Sequence, residues 1–363
     1  MKIEIPRIRG VVMKGGVIIL WGCGLILVLI AIPSIASGLP PNFCLGEDRS
    51  IALGIFAPPG TPSGKEQVLL QEIREFREKS GKNPAIGVFS DEWMKDRKFP
   101  ADDAKTVRDE GMIPYIRLMM RSSDRPYQQE PVYTLHNIAL GKFDGELRSW
   151  AREARVFGSP IFIEYGTEVN QWNYPWNGYW NGYQKGQDMF QDAYRHIIDI
   201  MREEGASNLI WIYHVNAESQ PLEEWNNISG YYPGDEYCDL VAISLFGSKK
   251  PFETGTKPFK DTLDTTIHTL MAGGIEKPVL LISGTDVHSR FIDPASFVTE
   301  MLSSLSKDVW PDVKALIWLN AAWKNDNNPL HDTSMRLQDN ETVASAFNSG
   351  LQSVRIQNRL TCS

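Results

Sequence analysis

Eight short apolar runs recur along the chain, and a segment of mixed apolar and polar residues follows each of them. The runs are almost continuously hydrophobic and rich in β-branched residues, which is typical of strands buried on both faces of a parallel sheet. In the segments between them, apolar residues recur at helical spacing, as Leu69, Ile73 and Phe76 do in the first. The predicted strands are 51–57, 85–89, 113–119, 161–165, 209–214, 240–246, 279–283 and 315–320.

Strand and helix alternate eight times, which predicts a parallel sheet with right-handed crossovers. Four glycines mark where helices should end: Gly81, Gly111, Gly158 and Gly205. Eight such units favour a closed (β/α)8 TIM barrel over an open sheet, and a last helix at about 341–354 would close it. In such barrels the chemistry lies at the carboxyl ends of the strands.

The N-terminus carries a different pattern. Basic residues, the last of them Lys14, precede an uncharged apolar run at 15–32. That run has about the minimum length of a membrane-spanning helix, and the basic flank would stay in the cytoplasm. Ser34 to Ala36 also fit a signal-peptidase site. We therefore predict that 1–37 is a signal peptide or a membrane anchor, and that 38–363 is an extracytoplasmic barrel, secreted or attached to the membrane.

Composition narrows the possible partners. The net charge is −8 and no basic face is evident, which argues against nucleic acid. The cysteine and histidine spacings do not indicate zinc, and no glycine loop suited to phosphate is present. We therefore expect neither a metal nor a cofactor. We also expect the protein to be a monomer. Cys44 and Cys362 stand at the two ends of the exported part. They are either a disulfide formed in an oxidising compartment or two free thiols.

The fourth strand is followed by the most informative segment. Glu168 comes just after the strand, and Asn170, Trp172 and Trp176 come next. Glycoside cleavage needs a proton donor for the leaving oxygen, amides bond sugar hydroxyls, and indole rings stack on the apolar faces of sugars. The alternative is a surface turn with a solvated Glu168 beside core tryptophans.

This segment resembles glycoside hydrolase family 26, the β-mannanase family, whose fourth strand ends in a Glu-x-Asn-x-x-Trp pattern. Further matching stretches extend the resemblance over most of the chain from about residue 50 and follow in the same order: 191–196, 208–211, 232–235, 239–241 and 277–280. The resemblance implies an O-glycosyl hydrolase of the endo-β-mannanase type that retains anomeric configuration with two glutamates.

Carried onto this chain, the resemblance makes Glu168 the acid/base. The nucleophile position after the seventh strand falls on Ser283, which cannot by itself displace a glycoside. The family's tyrosine beside the nucleophile falls on Phe246, and the histidine before the acid/base falls on Thr167. Asp286, just past the seventh strand, is expected either to supply the second catalytic carboxylate or to cap the next turn.

Other residues at strand ends are expected to line a sugar cleft. They are Asp91, Glu92, Trp93, Tyr213, His214, Asn216 and Trp323, in addition to Asn170, Trp172, Trp176, Phe246 and Ser283. Glu164 is not expected to be the second catalytic carboxylate, because four residues of strand would separate it from Glu168 by about 13 Å. We expect Glu164 to form a buried ion pair with Arg117 instead.

Two functions remain open at this stage. One is a hydrolase of a β-linked polysaccharide such as mannan or a β-glucan, with Glu168 as acid/base. The other is a barrel with impaired catalysis that binds polysaccharide without cleaving it. They differ in whether a second carboxyl group lies within reach of Glu168.

Overall fold

The predicted strands pair in sequence order and close into one parallel barrel, because the eighth strand pairs with the first. The structure is a computed structural model that describes residues 45, 49–57, 65–255, 257–307, 309–357 and 359–360. The TIM barrel is confirmed. The barrel strands are β1 (Ile51–Phe56), β2 (Ile86–Glu92), β3 (Ile113–Met119), β4 (Ile161–Tyr165), β5 (Leu209–Asn216), β6 (Leu240–Phe246), β7 (Val279–Gly284) and β8 (Val313–Leu319).

Helices form between the strands where apolar periodicity predicts them. The predicted stop at Gly158 is confirmed, since this residue has a φ of 73°, in the left-handed region that favours glycine. The helices are α1 (Lys65–Ser80), α2 (Ala101–Asp109), α3 (Leu135–Ala139), α4 (Asp144–Phe157), α5 (Gly178–Asn181), α6 (Gln184–Glu203), α7 (Phe259–Ala272), α8 (Pro294–Ser306) and α9 (Glu341–Leu351).

Two apolar layers follow from strand alternation. Side chains such as Val88, Phe162 and Ile282 fill the barrel interior. Their neighbours in the chain, such as Phe89 and Ile163, pack between the sheet and the helices. A side chain near the carboxyl end of a strand therefore reaches the barrel mouth only if it has inward parity.

Three further short strands lie in the described part of the chain. β11 (Ile356–Gln357) pairs with β1, and β9 (Ala322–Trp323) pairs antiparallel with β10 (Thr333–Ser334). The β9–β10 pairing follows β8 and holds Trp323 near the barrel mouth.

The N-terminal prediction concerns residues outside the described part of the chain, as does the Cys44–Cys362 pairing. All described residues belong to one unit. Among them, no helix combines the length and apolar character that a membrane crossing requires. The assignment of 1–37 as a signal or anchor stays a prediction.

Candidate active site

A cavity of about 560 Å³ opens at the carboxyl ends of the strands, where barrel chemistry is expected. Its walls combine carboxylates, cations and aromatic rings. The residues that line it are Phe56, Val88, Ser90, Glu92, Arg117, Met119, Arg121, Asp124, Pro126, Thr167, Glu168, Asn173, Tyr174, His214, Ser244, Phe246, Lys249, Ile282, Leu319, Trp323 and Met335. Five residues expected in the cleft are therefore present: Glu92, Glu168, His214, Phe246 and Trp323.

Glu168 reaches this cavity from a turn rather than from the strand itself. β4 ends at Tyr165, and the chain then bends through Gly166, at a φ of 79°, and Glu168, at a φ of 44°. A left-handed glutamate is uncommon, and such backbone strain clusters at functional sites. The 13 Å estimate between Glu164 and Glu168 assumed a continuous strand, and this turn removes that assumption.

The close packing beneath the turn explains why residue 166 is a glycine. A Cβ at Gly166 would lie 2.3 Å from Cε2 of Phe190, a ring that is fully buried under the strand. Both the φ angle and the missing side chain are therefore required for the chain to bend here.

Glu168 is held from the neighbouring strand. The Nδ2 of Asn216, the last residue of β5, donates a hydrogen bond of 3.1 Å to Oε1 of Glu168. Asn216 is itself fixed by Asn170, whose Oδ1 accepts from the Asn216 backbone N–H at 2.8 Å and whose Nδ2 donates to the Asn216 carbonyl at 2.8 Å. Asn170 is fully buried and positions Asn216. It was expected to face the cleft, and it does not.

The tryptophans of the β4 loop support the cleft from behind. Trp176 is buried and its Nε1 donates 2.9 Å to the carbonyl of Thr167. Its ring stacks on Tyr174 at a centroid distance of 5.0 Å, and Tyr174 is the ring that lines the cavity. Trp172 packs edge-on against Tyr127 and Tyr179 and does not line the cavity.

Two further aromatic residues lie away from the cleft. Tyr213 is fully buried in the layer between sheet and helices, because it has outward parity on β5, and its hydroxyl donates to the Ile228 carbonyl. Trp93 lines a separate surface cavity of about 680 Å³ beside Arg97 and Tyr133. Both were expected to contact substrate, and the structure places both elsewhere.

The β7 residues also differ from expectation. Ser283 has outward parity and is fully buried, and its hydroxyl donates 2.7 Å to the Leu245 carbonyl. Ile282 lines the cavity instead. Asp286 is fully buried, and its Oδ1 accepts from the His288 backbone N–H at 2.7 Å. Burial raises the pKa of Asp286, and the His288 hydrogen bond partly opposes that rise.

Asp286 thus makes the turn-capping contact that was the alternative to catalysis, and it is absent from the cavity lining. Within the described chain, the carboxyl groups that share the cavity with Glu168 are those of Glu92 and Asp124. Both oxygens of Glu92 pair with Arg121, at 2.8 and 3.0 Å. Asp124 is exposed in the loop after β3.

The cavity floor holds a buried charge network centred on Glu164. Its carboxylate accepts from Arg117 Nε at 3.3 Å, which confirms the predicted ion pair, and it also bonds the hydroxyls of Tyr115 and Thr167. His214 Nδ1 lies 2.7 Å away. Burial alone would raise the pKa of Glu164, but His214 and Arg117 beside it hold that pKa well below its usual range.

Several cleft residues were missed by sequence reasoning. Arg121, Asp124 and Asn173 lie in loops, where no periodicity tells which side chains face inward. Ser244 was predictable, because it shares strand parity with Phe246, which was identified. Lys249 follows β6, and its Nζ lies 5.7 Å from the Phe246 ring centroid.

The sequence itself matches a known family. The model of glycosyl hydrolase family 26 matches residues 160–286. Endoglucanase H of Acetivibrio thermocellus is 24% identical over 263 residues, which are 71% of this chain and 27% of that protein. The chain therefore spans about a quarter of the length of this curated relative.

Solved structures share the fold. A Cellulomonas fimi endo-β-1,4-mannanase double mutant aligns with a TM-score of 0.62 and 13% identity, covering 85% of this chain and 72% of its own. A β-mannanase from a symbiotic protist of the termite Reticulitermes speratus, complexed with gluco-manno-oligosaccharide, gives 0.56 and 14%, with coverage of 85% and 88%. The Bacillus subtilis mannanase man26 gives 0.52 and 17%, with coverage of 82% and 85%. At these identities the likeness concerns the fold.

Proposed function

Because the chain belongs to glycosyl hydrolase family 26, whose model matches residues 160–286 and with them Glu168, we propose that it hydrolyses a β-linked polysaccharide. The observation that carries the proposal is the placement of Glu168. Glu168 lies in the turn after β4, accepts a hydrogen bond from Asn216 and lines an open cavity, and these features support a role in which it meets a glycosidic oxygen.

Glu168 acts as the acid/base in this proposal. It protonates the oxygen of the departing sugar while positive charge develops at the anomeric carbon. Asn216 donates to one carboxyl oxygen and leaves the other for the proton that is transferred. Tyr174, Phe246 and Trp323 supply rings on which sugar faces pack, since all three line the same cavity.

The second catalytic carboxylate is assigned from the contacts of the acidic residues near Glu168. Asp286 stays a candidate, and its contacts favour the capping role. We propose Asp124 as the stronger candidate, because it lines the cavity with Glu168 and is not committed to a paired arginine as Glu92 is. In an inverting reaction, Glu168 would be the general acid and Asp124 the general base that activates water, with their carboxyl groups about 6.5–9.5 Å apart.

The substrate proposed is a mannan or a β-glucan. Its support is that the similar proteins are mannanases and an endoglucanase. Polysaccharides of this kind are met outside the cell, which agrees with the predicted export through residues 1–37. The proposal includes export by residues 1–37, either as a cleaved signal peptide or as a retained membrane anchor. It also includes a monomeric state.

The test is reducing-sugar release from a panel of β-mannans and β-glucans by the purified protein. Glu168→Gln should lower kcat/KM by about 10²–10⁴-fold, the usual contribution of a general acid or base. Glu153→Gln, at an exposed position on α4, is the matched control and should leave activity unchanged. Retained turnover in Glu168→Gln would contradict the assignment.

A second outcome distinguishes the binding-only alternative. If the wild-type protein releases no sugar from any polymer yet is retarded in affinity gels that contain one of them, the barrel binds polysaccharide without cleaving it. The hydrolase proposal would then be wrong, and the cleft would keep its polysaccharide ligand.

A further inference from the structure

Three side chains at the floor of the cavity form a continuous hydrogen-bonded series that glycoside cleavage does not use. The Ser244 hydroxyl lies 2.8 Å from His214 Nε2, and His214 Nδ1 lies 2.7 Å from Glu164 Oε2. The three come from adjacent strands, β6, β5 and β4, and all have inward parity. Ser244 and His214 both line the cavity, whereas Glu164 is fully buried behind them.

The charges fix which atom donates in this series. Glu164 is paired with Arg117, and a carboxylate only accepts hydrogen bonds. His214 Nδ1 must therefore carry the proton that it shares with Glu164. In the neutral imidazole this leaves the Nε2 lone pair facing the Ser244 hydroxyl, which donates to it. This is the order nucleophile, base and orienting carboxylate.

A purely structural serine in this barrel behaves differently. The Ser283 hydroxyl, on the neighbouring strand, donates to the backbone carbonyl of Leu245 and faces away from the cavity. The Ser244 hydroxyl instead bonds a ring nitrogen and lies at the surface of the cavity. A reacting group bound in the cavity could therefore meet it.

We propose that Ser244 and His214, positioned by Glu164, form a nucleophilic site for ester hydrolysis, and that its substrate is an O-acyl group on a polysaccharide in the cleft. The choice of a polysaccharide as carrier rests on the proposed function, whereas the acyl-transfer chemistry does not. Two cations that line the same cavity, Arg117 and Lys249, can stabilise the oxyanion that forms during attack.

The reaction balances with water as the second reactant. Ser244 Oγ attacks the ester carbonyl carbon while its proton passes to His214 Nε2. The bond between the carbonyl carbon and the sugar oxygen then breaks, and the imidazolium protonates that oxygen. Water then attacks the acyl-serine and gives a proton to His214. The bond between the acyl carbon and Ser244 Oγ breaks, His214 passes that proton to Oγ, and the carboxylic acid leaves.

The test is covalent labelling of the whole protein with a biotinylated alkyl fluorophosphonate, which phosphonylates an activated serine and releases fluoride. We expect one adduct, on the peptide that contains Ser244, together with acetate release from an O-acetylated β-mannan. Ser244→Ala should abolish both. Ser304→Ala, a buried serine on α8, is the matched control and should change neither. Folded wild-type protein that gains no adduct on Ser244 would overturn the proposal.

A test of Glu164 must distinguish positioning of His214 from a contribution to folding alone. In Glu164→Gln, the labelling rate should fall, because the imidazole loses the carboxylate that orients it, and Glu164→Asp, which keeps a carboxylate, should restore part of that rate. An unchanged labelling rate in folded Glu164→Gln would contradict the positioning role. Reducing-sugar release, measured in the same preparations, tests the hydrolase proposal separately. Labelling of Ser244 without sugar release would support the ester site and contradict the hydrolase proposal. Sugar release without labelling would contradict the ester site alone.

Discussion

Asn170 and Asn216 are bonded to each other twice, through the side chain of the first and the backbone of the second. The Asn170 amide accepts from the Asn216 N–H and donates to the Asn216 carbonyl, both at 2.8 Å. The side chain of Asn216 is left to hold Glu168. The amide after the acid/base, which looked like a sugar ligand, thus fixes the geometry of the carboxyl group itself.

This arrangement predicts the effect of removing either amide. Asn216→Ala should lower kcat about tenfold or more with little change in KM, because Glu168 loses its positioning donor. Asn170→Ala should do the same and also lower the free energy of unfolding by about 1–3 kcal/mol, since the buried Asn216 N–H loses its acceptor. Steady-state kinetics and denaturant unfolding measure the two effects.

The matched control is Asn208→Ala. Its Nδ2 bonds the carbonyls of Ala154 and Ser159 at 2.9 and 2.8 Å, outside the cavity. This variant should lose a similar free energy of unfolding while kcat stays unchanged. If Asn170→Ala also loses only stability, the positioning role is refuted.

The second carboxylate can be found by comparing three variants. If Asp124 serves, Asp124→Asn should lower kcat by at least about 10²-fold, and azide should restore part of the activity by replacing the lost carboxylate. Asp286→Asn should leave kcat unchanged, because Asp286 caps the turn at His288. Glu92→Gln should mainly disturb Arg121. A loss of kcat in Asp286→Asn alone would reverse the assignment of Asp124.

Sequence reasoning succeeded where strand burial governs the pattern. Every barrel strand was predicted because both faces are covered, and inward parity correctly paired Glu164 with Arg117. It failed in the loop after β4, where Trp172 and Trp176 have no periodicity to tell an inward ring from a buried support. Ser283 was placed by family resemblance, and its outward parity became visible only in the barrel.

The bend before Glu168 gives a prediction about folding stability. Gly166→Ala should lower the free energy of unfolding by about 2–5 kcal/mol, because a Cβ would meet the buried Phe190 ring at 2.3 Å in a left-handed backbone. Gly111→Ala separates the two causes: its φ is 83°, and a Cβ added there would have no atom within 4 Å. It should lose only the backbone part, about 1–2 kcal/mol. Equal losses in the two variants would show that the Phe190 contact does not matter.

The burial of Asp91 makes the free energy of unfolding depend on pH. This residue of β2 is buried between the sheet and α4, where Trp150 Nε1 donates 3.0 Å to its Oδ2. Burial raises the pKa of Asp91 from 3.8 to about 7, with the Trp150 hydrogen bond opposing. Between these two values the folded chain holds a proton that the unfolded chain has lost. The contribution of Asp91 to stability therefore falls as the pH rises through this window.

Asp91→Asn should remove that fall, because an amide keeps an acceptor for Trp150 and carries no charge. We expect the variant to gain stability relative to wild type as the pH rises from about 4 to about 8, by up to a few kcal/mol. Urea unfolding across this range measures the difference, with the exposed Asp188→Asn on α6 as the control that should track wild type. A difference between Asp91→Asn and wild type that stays constant with pH would mean that Asp91 is ionised in the folded barrel throughout. The Trp150 bond would then suffice to hold the buried charge.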